Sequence, residues 1–239
     1  MDPAIDSTRL KYIAKCLLNV NKESPAQLGE DMMFTLDKWR VSMLTIENIE
    51  RGPVIATRPF TITAETLGRG LNRFKGNISF AEDGRSHSIG ADVTVCHREY
   101  VSSEVFQMTD NLKRVIGTVH PYRASVDAKT IQVLASQDLK ADPVIYIKSD
   151  SECHYMGILD NIRVRMRGNI AQPGYTTFAA AFLKMLARMV MGDVTVDWGN
   201  QSFIRFTWDA YGVRMSYYVA PRMVNDENII KRLDRKVIL

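Results

Sequence analysis

Apolar residues recur at helical spacing in four stretches of the chain. In Arg9–Val20 the face is made by Leu10, Ile13, Ala14, Leu17 and Leu18. Ser103–Val119 repeats the pattern with Val105, Met108, Leu112 and Val115. Thr63–Lys75 does so with Leu67, Leu71 and Phe74, and Thr176–Met191 with Phe178, Phe182, Met185, Leu186 and Met189. The stretches after the helices of Thr63–Lys75 and Thr176–Met191 read as strands. The first set is Asn77–Glu82 and Ser88–Tyr100; the second is Asp193–Trp198, Phe203–Asp209 and Val213–Ala220. Alternation is plainest at Val194, Val196 and Trp198, and less clean from Phe203 to Trp208.

Helix, strands, helix, strands thus occurs twice, with the halves meeting near Val101–Glu104. This order predicts an α+β fold: two similar domains of antiparallel sheet with two helices each. The expected boundaries are 1–102 and 103–224, followed by a basic tail over 225–239. A sequence match supports a duplication. Thr35–Ile55 aligns with Ser125–Ile145, pairing Asp37 with Asp127, Leu44 with Leu134, and Pro53-Val54-Ile55 with Pro143-Val144-Ile145. Two unrelated β-hairpins would account for the same residues, and that alternative stays open here.

Charge adds a pattern to this frame. The chain carries 31 Lys and Arg against 27 Asp and Glu, a net charge of +4. The balance permits a polyanionic partner without requiring one. Placement is more informative. Arg69 and Arg73 lie opposite the apolar arc of their helix, and Lys184 and Arg188 opposite theirs. Lys11 and Lys15 are again four apart, and Lys113 stands with Arg114 in the remaining helix. Like charges four apart cost an isolated helix about 0.2–0.5 kcal/mol per pair. A single basic face is ordinarily just a solvated one. Several together predict a surface that presents cations to phosphates, and without any base-reading motif it would bind without sequence preference.

Composition excludes other classes. Hydrophobic residues make up 46% of the 239 and charged residues 24%, enough for a core without metal or disulfide staples. The 3 cysteines, Cys16, Cys96 and Cys153, form no framework and suit a reducing compartment. With no signal-like start and no long apolar run, a soluble intracellular protein is expected, in the nucleus or in the cytoplasm with the nucleoid. Gly68-Arg69-Gly70 lacks the Gly-Lys-Ser/Thr of a phosphate loop. Cys96-His97 and Cys153-His154 hold zinc-ligating residue types, but neighbours on a strand point to opposite faces. Buried structural cysteines beside surface histidines are expected instead. Asp37 and Asp127 are expected to set turns. No catalytic constellation, cofactor or metal site is expected.

Thr177–Met223 resembles the end of a sliding clamp of the proliferating-cell-nuclear-antigen family. The residues carrying the resemblance are Phe182-Leu183-Lys184-Met185-Leu186, Asp193-Val194-Thr195-Val196, and Met215-Ser216-Tyr217-Tyr218-Val219-Ala220-Pro221-Arg222-Met223. A second match runs over Ile62–Asp83, ending in Asn77-Ile78-Ser79-Phe80-Ala81-Glu82-Asp83. The resemblance implies a DNA-clamp fold and a ring, usually a homotrimer. Such a ring would be a non-enzymatic processivity factor that encircles double-stranded DNA and tethers a DNA polymerase and other clamp-binding proteins; the resemblance admits a clamp loader as a further partner without requiring one. It implies DNA-facing roles for Lys11, Lys15, Arg69, Arg73, Lys113, Lys184 and Arg188. It implies a partner pocket including Ile46, Val54, Val219, Ala220 and Pro221. Subunits would join by pairing an edge near Ile89–Cys96 with one near Val144–Lys148. The chain departs from the family in its positive charge and short first domain. It also departs in Asn225–Leu239, where Ile230, Leu233 and Val237 repeat at helical spacing beside Lys231, Arg232, Arg235 and Lys236. A self-assembling structural or viral protein that binds nucleic acid through the same basic faces is the other reading these residues allow, with an unrecognised enzyme behind it.

Overall fold

The computed structural model describes residues 4–20, 25–28, 32–37, 42–48, 60–63, 76–80, 86–88, 94–95, 110–139, 141–150, 152–169, 173–223 and 231–233. The chain divides into two compact units. One is Met1–Lys113 with the hairpin tip Asp209–Ser216, the other Arg114–Trp208 with Tyr217–Leu239. The fold is α+β, with antiparallel pairing between strands.

The first unit opens with β1 (Ala4–Asp6), which runs directly into α1 (Ser7–Val20). The Asp6 carboxylate accepts from the Thr8 and Arg9 amides at 2.9 and 3.2 Å, supplying partners that the first helical turn lacks. Leu10, Ile13, Ala14, Cys16 and Leu17 are buried along one side, as the helical spacing predicts. The strands that follow are β2 (Pro25–Leu28), β3 (Met32–Asp37), β4 (Ser42–Asn48), β5 (Phe60–Thr63), β6 (Asn77–Phe80), β7 (Ser86–Ser88) and β8 (Thr94–Val95). They form the order β5-β2-β3-β4 and a second sheet β1-β6-β7-β8. Of the helix expected over Thr63–Lys75, Thr63 ends β5 instead and 64–75 lie outside the described residues, as does most of the strand expected over Ser88–Tyr100.

Past α2 (Asp110–Gly117), the second unit comprises β9 (Tyr122–Asp127), α3 (Ala128–Ala135), β10 (Val144–Ser149), β11 (His154–Ile158), β12 (Arg163–Met166) and β13 (Gly174–Ala179). Then come α4 (Ala180–Met189), β14 (Asp193–Trp198), β15 (Ile204–Ala210) and β16 (Val213–Val219). Its sheets are ordered β12-β11-β10-β13 and β16-β15-β14-β9. Trp198, Trp208, Phe178, Phe206 and Tyr217 are sealed in the core. Phe178 meets Phe206 edge-on at 5.8 Å.

Several expectations need correction. The stretch Ala128–Ala135 is a helix, not part of a hairpin. Asp127 caps it, accepting from the Thr130 amide at 2.9 Å, and Ile131 and Leu134 bury one side. The aligned repeat therefore fails at its centre, because Leu44 lies on strand β4 while its match Leu134 lies on α3. The helix expected over Thr176–Met191 begins only at Ala180. β-Branched Thr176 and Thr177 belong to β13, and Phe178 fits the helical arc by coincidence. Of the helix expected over Ser103–Val119, the described part is α2 alone. His154 is fully buried rather than on the surface: its Nε2 lies 2.7 Å from the Asn169 carbonyl oxygen and its ring meets Trp198 edge-on at 5.2 Å. Val144–Lys148 is not an edge, since β10 has β11 on one side and β13 on the other. The outer strands there are β12 and β13.

Candidate nucleic-acid interface

The three helices α1, α3 and α4 contain no Asp or Glu, although the chain carries 27. Their cations are Arg9, Lys11 and Lys15, then Lys129, then Lys184 and Arg188. In the first unit, Lys15 is exposed and Lys11 half-buried on α1. The neighbouring Cys16 thiol is sealed in the core, where burial pushes its pKa up to about 12. It is a packing residue with no reactive thiolate.

In the second unit α3 and α4 pack side by side. The Gln132 side-chain amide on α3 reaches the Ala187 carbonyl oxygen on α4 at 3.5 Å, so both helices share one solvent-facing surface. Lys129 and Arg188 are exposed and Lys184 half-buried. Lys129 was absent from the sequence expectation because its helix was read as a hairpin. The absence of acidic residues through Ala128–Ala135 was the signal that could have found it.

Five arginines on the sheets and turns are, by contrast, neutralised. Arg123 and Arg205 both bind Asp197, at 2.6 and 2.9 Å, and the Asp197 side chain is only 4% exposed. Arg214 grips Asp209 with two bonds of 2.9 and 3.1 Å, Arg167 pairs with Asp193 at 3.0 Å, and Arg222 with Asp142 at 3.0 Å. No carboxylate partner is found among the described residues for Lys15, Lys129, Lys184 or Arg188. Lys113 differs: it is exposed on α2 but lies 3.4 Å from Asp110. Arg69 and Arg73 lie outside the described residues.

The residues expected to form a partner pocket fall into two groups. Ile46 in the first unit and Val219 in the second are fully buried, so neither offers an exposed side chain. Val54 lies outside the described residues. Ala220 and Pro221 are half-buried, and the segment they start runs beside β13. There the Arg222 amide donates to the Thr177 carbonyl at 2.7 Å, and the Thr177 hydroxyl donates to the Arg222 carbonyl at 2.5 Å. Met223 at its end is 61% exposed.

Among the described residues there is no group of three or more His, Cys, Asp or Glu that could hold a metal ion. Cys153 donates to the Tyr155 hydroxyl at 2.6 Å; Cys96 and His97 lie outside the described residues. No described helix is long and apolar enough to cross a membrane.

The architecture is that of the DNA sliding clamps. A structure of the carboxyl-terminal region of FEN-1 bound to A. fulgidus PCNA matches with a TM-score of 0.69 and 15% identity, over 94% of this chain and 99% of that one. A PCNA2–PCNA3 complex from Sulfolobus tokodaii matches with a TM-score of 0.69 and 15% identity, over 93% of this chain and 99% of that one. No protein-family model and no curated protein sequence matches the chain. Similarity at this level of identity establishes the shared fold.

Proposed function

We propose that the chain is a subunit of a DNA sliding clamp, a non-enzymatic processivity factor that encircles duplex DNA and tethers a polymerase and other clamp-binding proteins. One observation carries this reading: in a chain with the clamp fold, three helices have no acidic residue, and Lys15, Lys129, Lys184 and Arg188 on them have no carboxylate partner among the described residues, while five arginines elsewhere are paired. Cations on rigid helices suit phosphates, and the absence of a base-reading element suits sliding. Lys11, Lys15, Lys129, Lys184 and Arg188 would face DNA, with Arg69, Arg73 and Lys113 as further contacts. Partner peptides would dock at the half-buried Ala220–Pro221 segment that runs beside β13, with Val219 buried behind it.

The subunits would close as a homotrimer through the outer strand β12 and a strand near Thr94–Val95, both at the ends of their sheets. A loader would open the ring. The test is retention on DNA of different topology. A closed ring of few subunits should stay on circular duplex and slide off linear ends. Equal retention on both, or a spread of large assemblies, would overturn the reading.

A further inference from the structure

Asn225–Leu239 continues past the clamp-like region, and the structure gives part of it a defined seat. Lys231–Leu233 forms a helical turn. The contacts it makes among the described residues lie wholly within the second unit.

Leu233 is only 7% exposed. It lines a cavity of about 420 Å³ together with Lys148, Ser149, Pro173, Tyr175 and Gln201. The Lys148 ammonium donates to the Leu233 carbonyl oxygen at 3.4 Å. Arg232 pairs with Asp160, which stands in the turn between β11 and β12 at φ 58. Apolar burial, a bond to the helix carbonyl and an ion pair thus act on adjacent residues. Ser149 also brings a buried hydroxyl with no hydrogen-bond partner in the structure. The groove thus combines polar lining (Lys148, Ser149, Gln201) with apolar lining (Pro173, Tyr175).

We propose that the carboxyl-terminal segment is a tethered ligand of the second unit: Lys231–Leu233 occupies a groove that accepts a leucine preceded by a basic residue. Leucine meets the apolar lining, and the basic residue meets Asp160. Tethering keeps the segment at high effective concentration beside its groove, so weak individual contacts hold it. Because an ion pair and a charge-assisted bond contribute, salt loosens it. Release uncovers the groove and frees Lys231 and Arg232 together. The inference is independent of the clamp reading, and holds or fails whatever the chain's oligomeric state on DNA.

Limited trypsin digestion of the full chain tests it, with cleavage after Lys231 and Arg232 followed by mass spectrometry. Asp160→Asn removes the charge but keeps a residue suited to positive φ, and Leu233→Ala removes the apolar anchor. Each should speed cleavage at these two bonds by about tenfold or more, because proteolysis follows the population of the released form. Cleavage elsewhere should not change, and salt should accelerate the parent chain at the same two bonds. The charge swap Asp160→Lys with Arg232→Asp should be cleaved after Lys231 more slowly than Arg232→Asp alone, which shares the acidic residue following that bond. Equal cleavage in the parent chain and both single variants overturns the proposal, as does a charge swap cleaved after Lys231 as fast as Arg232→Asp alone.

Discussion

At Ala4–Asp6 and again at Tyr122–Asp127, a strand ends on an aspartate and becomes a helix at the next residue. Each aspartate accepts a main-chain amide of its helix, at 2.9 Å from Thr8 in one case and 2.9 Å from Thr130 in the other. In each unit the first helical amide donates to the carbonyl of a glycine in the left-handed region. Ser7 bonds to Gly76 (φ 79) and Ala128 to Gly192 (φ 63), both at 2.8 Å. Each glycine leads into an antiparallel partner strand, with Ile5 opposite Ile78 in the first unit and Val126 opposite Val194 in the second. Behind the caps, Leu10 and Ile13 in α1 correspond to Ile131 and Leu134 in α3, and all four are fully buried. The helices then diverge: α1 runs 14 residues and α3 only 8. What both junctions share is a cap, a left-handed glycine and two aliphatic residues a turn apart. The duplication lies in those positions, not in the matched Pro-Val-Ile motifs.

The largest expected effects test whether the two junctions carry equal weight. Leu10→Ala and Ile131→Ala should each lower unfolding free energy by about 2–5 kcal/mol, since both are completely buried. Denaturant midpoints at constant m-value would measure this. A near-neutral Ile131→Ala would break the equivalence. Next come the glycines. A Cβ at Gly192 would meet nothing within 4 Å, so Gly192→Ala should cost only its backbone strain, about 1–2 kcal/mol. Gly192→Asn should cost less, and a larger loss would mean the open space is not there.

Asp127→Ala should cost about 1 kcal/mol through the lost cap. Its pH dependence sharpens the comparison. Hydrogen bonds from the Thr130 hydroxyl and amide hold the Asp127 pKa below its ordinary value. The stabilisation is therefore present above the unfolded-state pKa of about 3.9 and disappears as pH falls through the lower folded value. Parent and variant stabilities should converge in acid; a gap that persists there would show that the side chain acts by packing. Smallest in stability are Lys15→Glu in the first unit and Arg188→Glu in the second, each expected within about 0.5 kcal/mol of the parent. Both should shorten retention on circular DNA and flatten its salt dependence by about one counterion per cation removed. If only one does so, phosphate contact is confined to one unit.

Much of the fold was legible where one physical signal dominated. β14 matches its expected span, and β15 and β16 fall within a residue of theirs, because alternating burial is strong in Val194, Val196, Phe206 and Trp208. α1 was readable from its unbroken apolar face. α3 was not, because Ile131, Val133 and Leu134 are strand-like residue types in a short run; the Asp127 cap and packing on α4 decide it. The start of α4 was obscured by Phe178, whose spacing to Phe182 suits a helix although it sits on β13. At the candidate interface the basic residue types were visible in the sequence. Which cations are neutralised was not, because Arg123 and Arg205 find Asp197 only across neighbouring strands.

The outer strand β12 carries a last consequence. Its sequence is Arg163-Val164-Arg165-Met166, with Arg165 exposed and Arg163 laid over the Tyr155 ring at 4.8 Å. An open strand edge can template indiscriminate cross-β growth, and positive charge along it raises the threshold for that growth. Two copies meeting β12 to β12 would set arginine against arginine, whereas a strand bearing carboxylates would find the same edge welcoming. The charge on this edge thus favours an acidic partner strand over a second copy of itself.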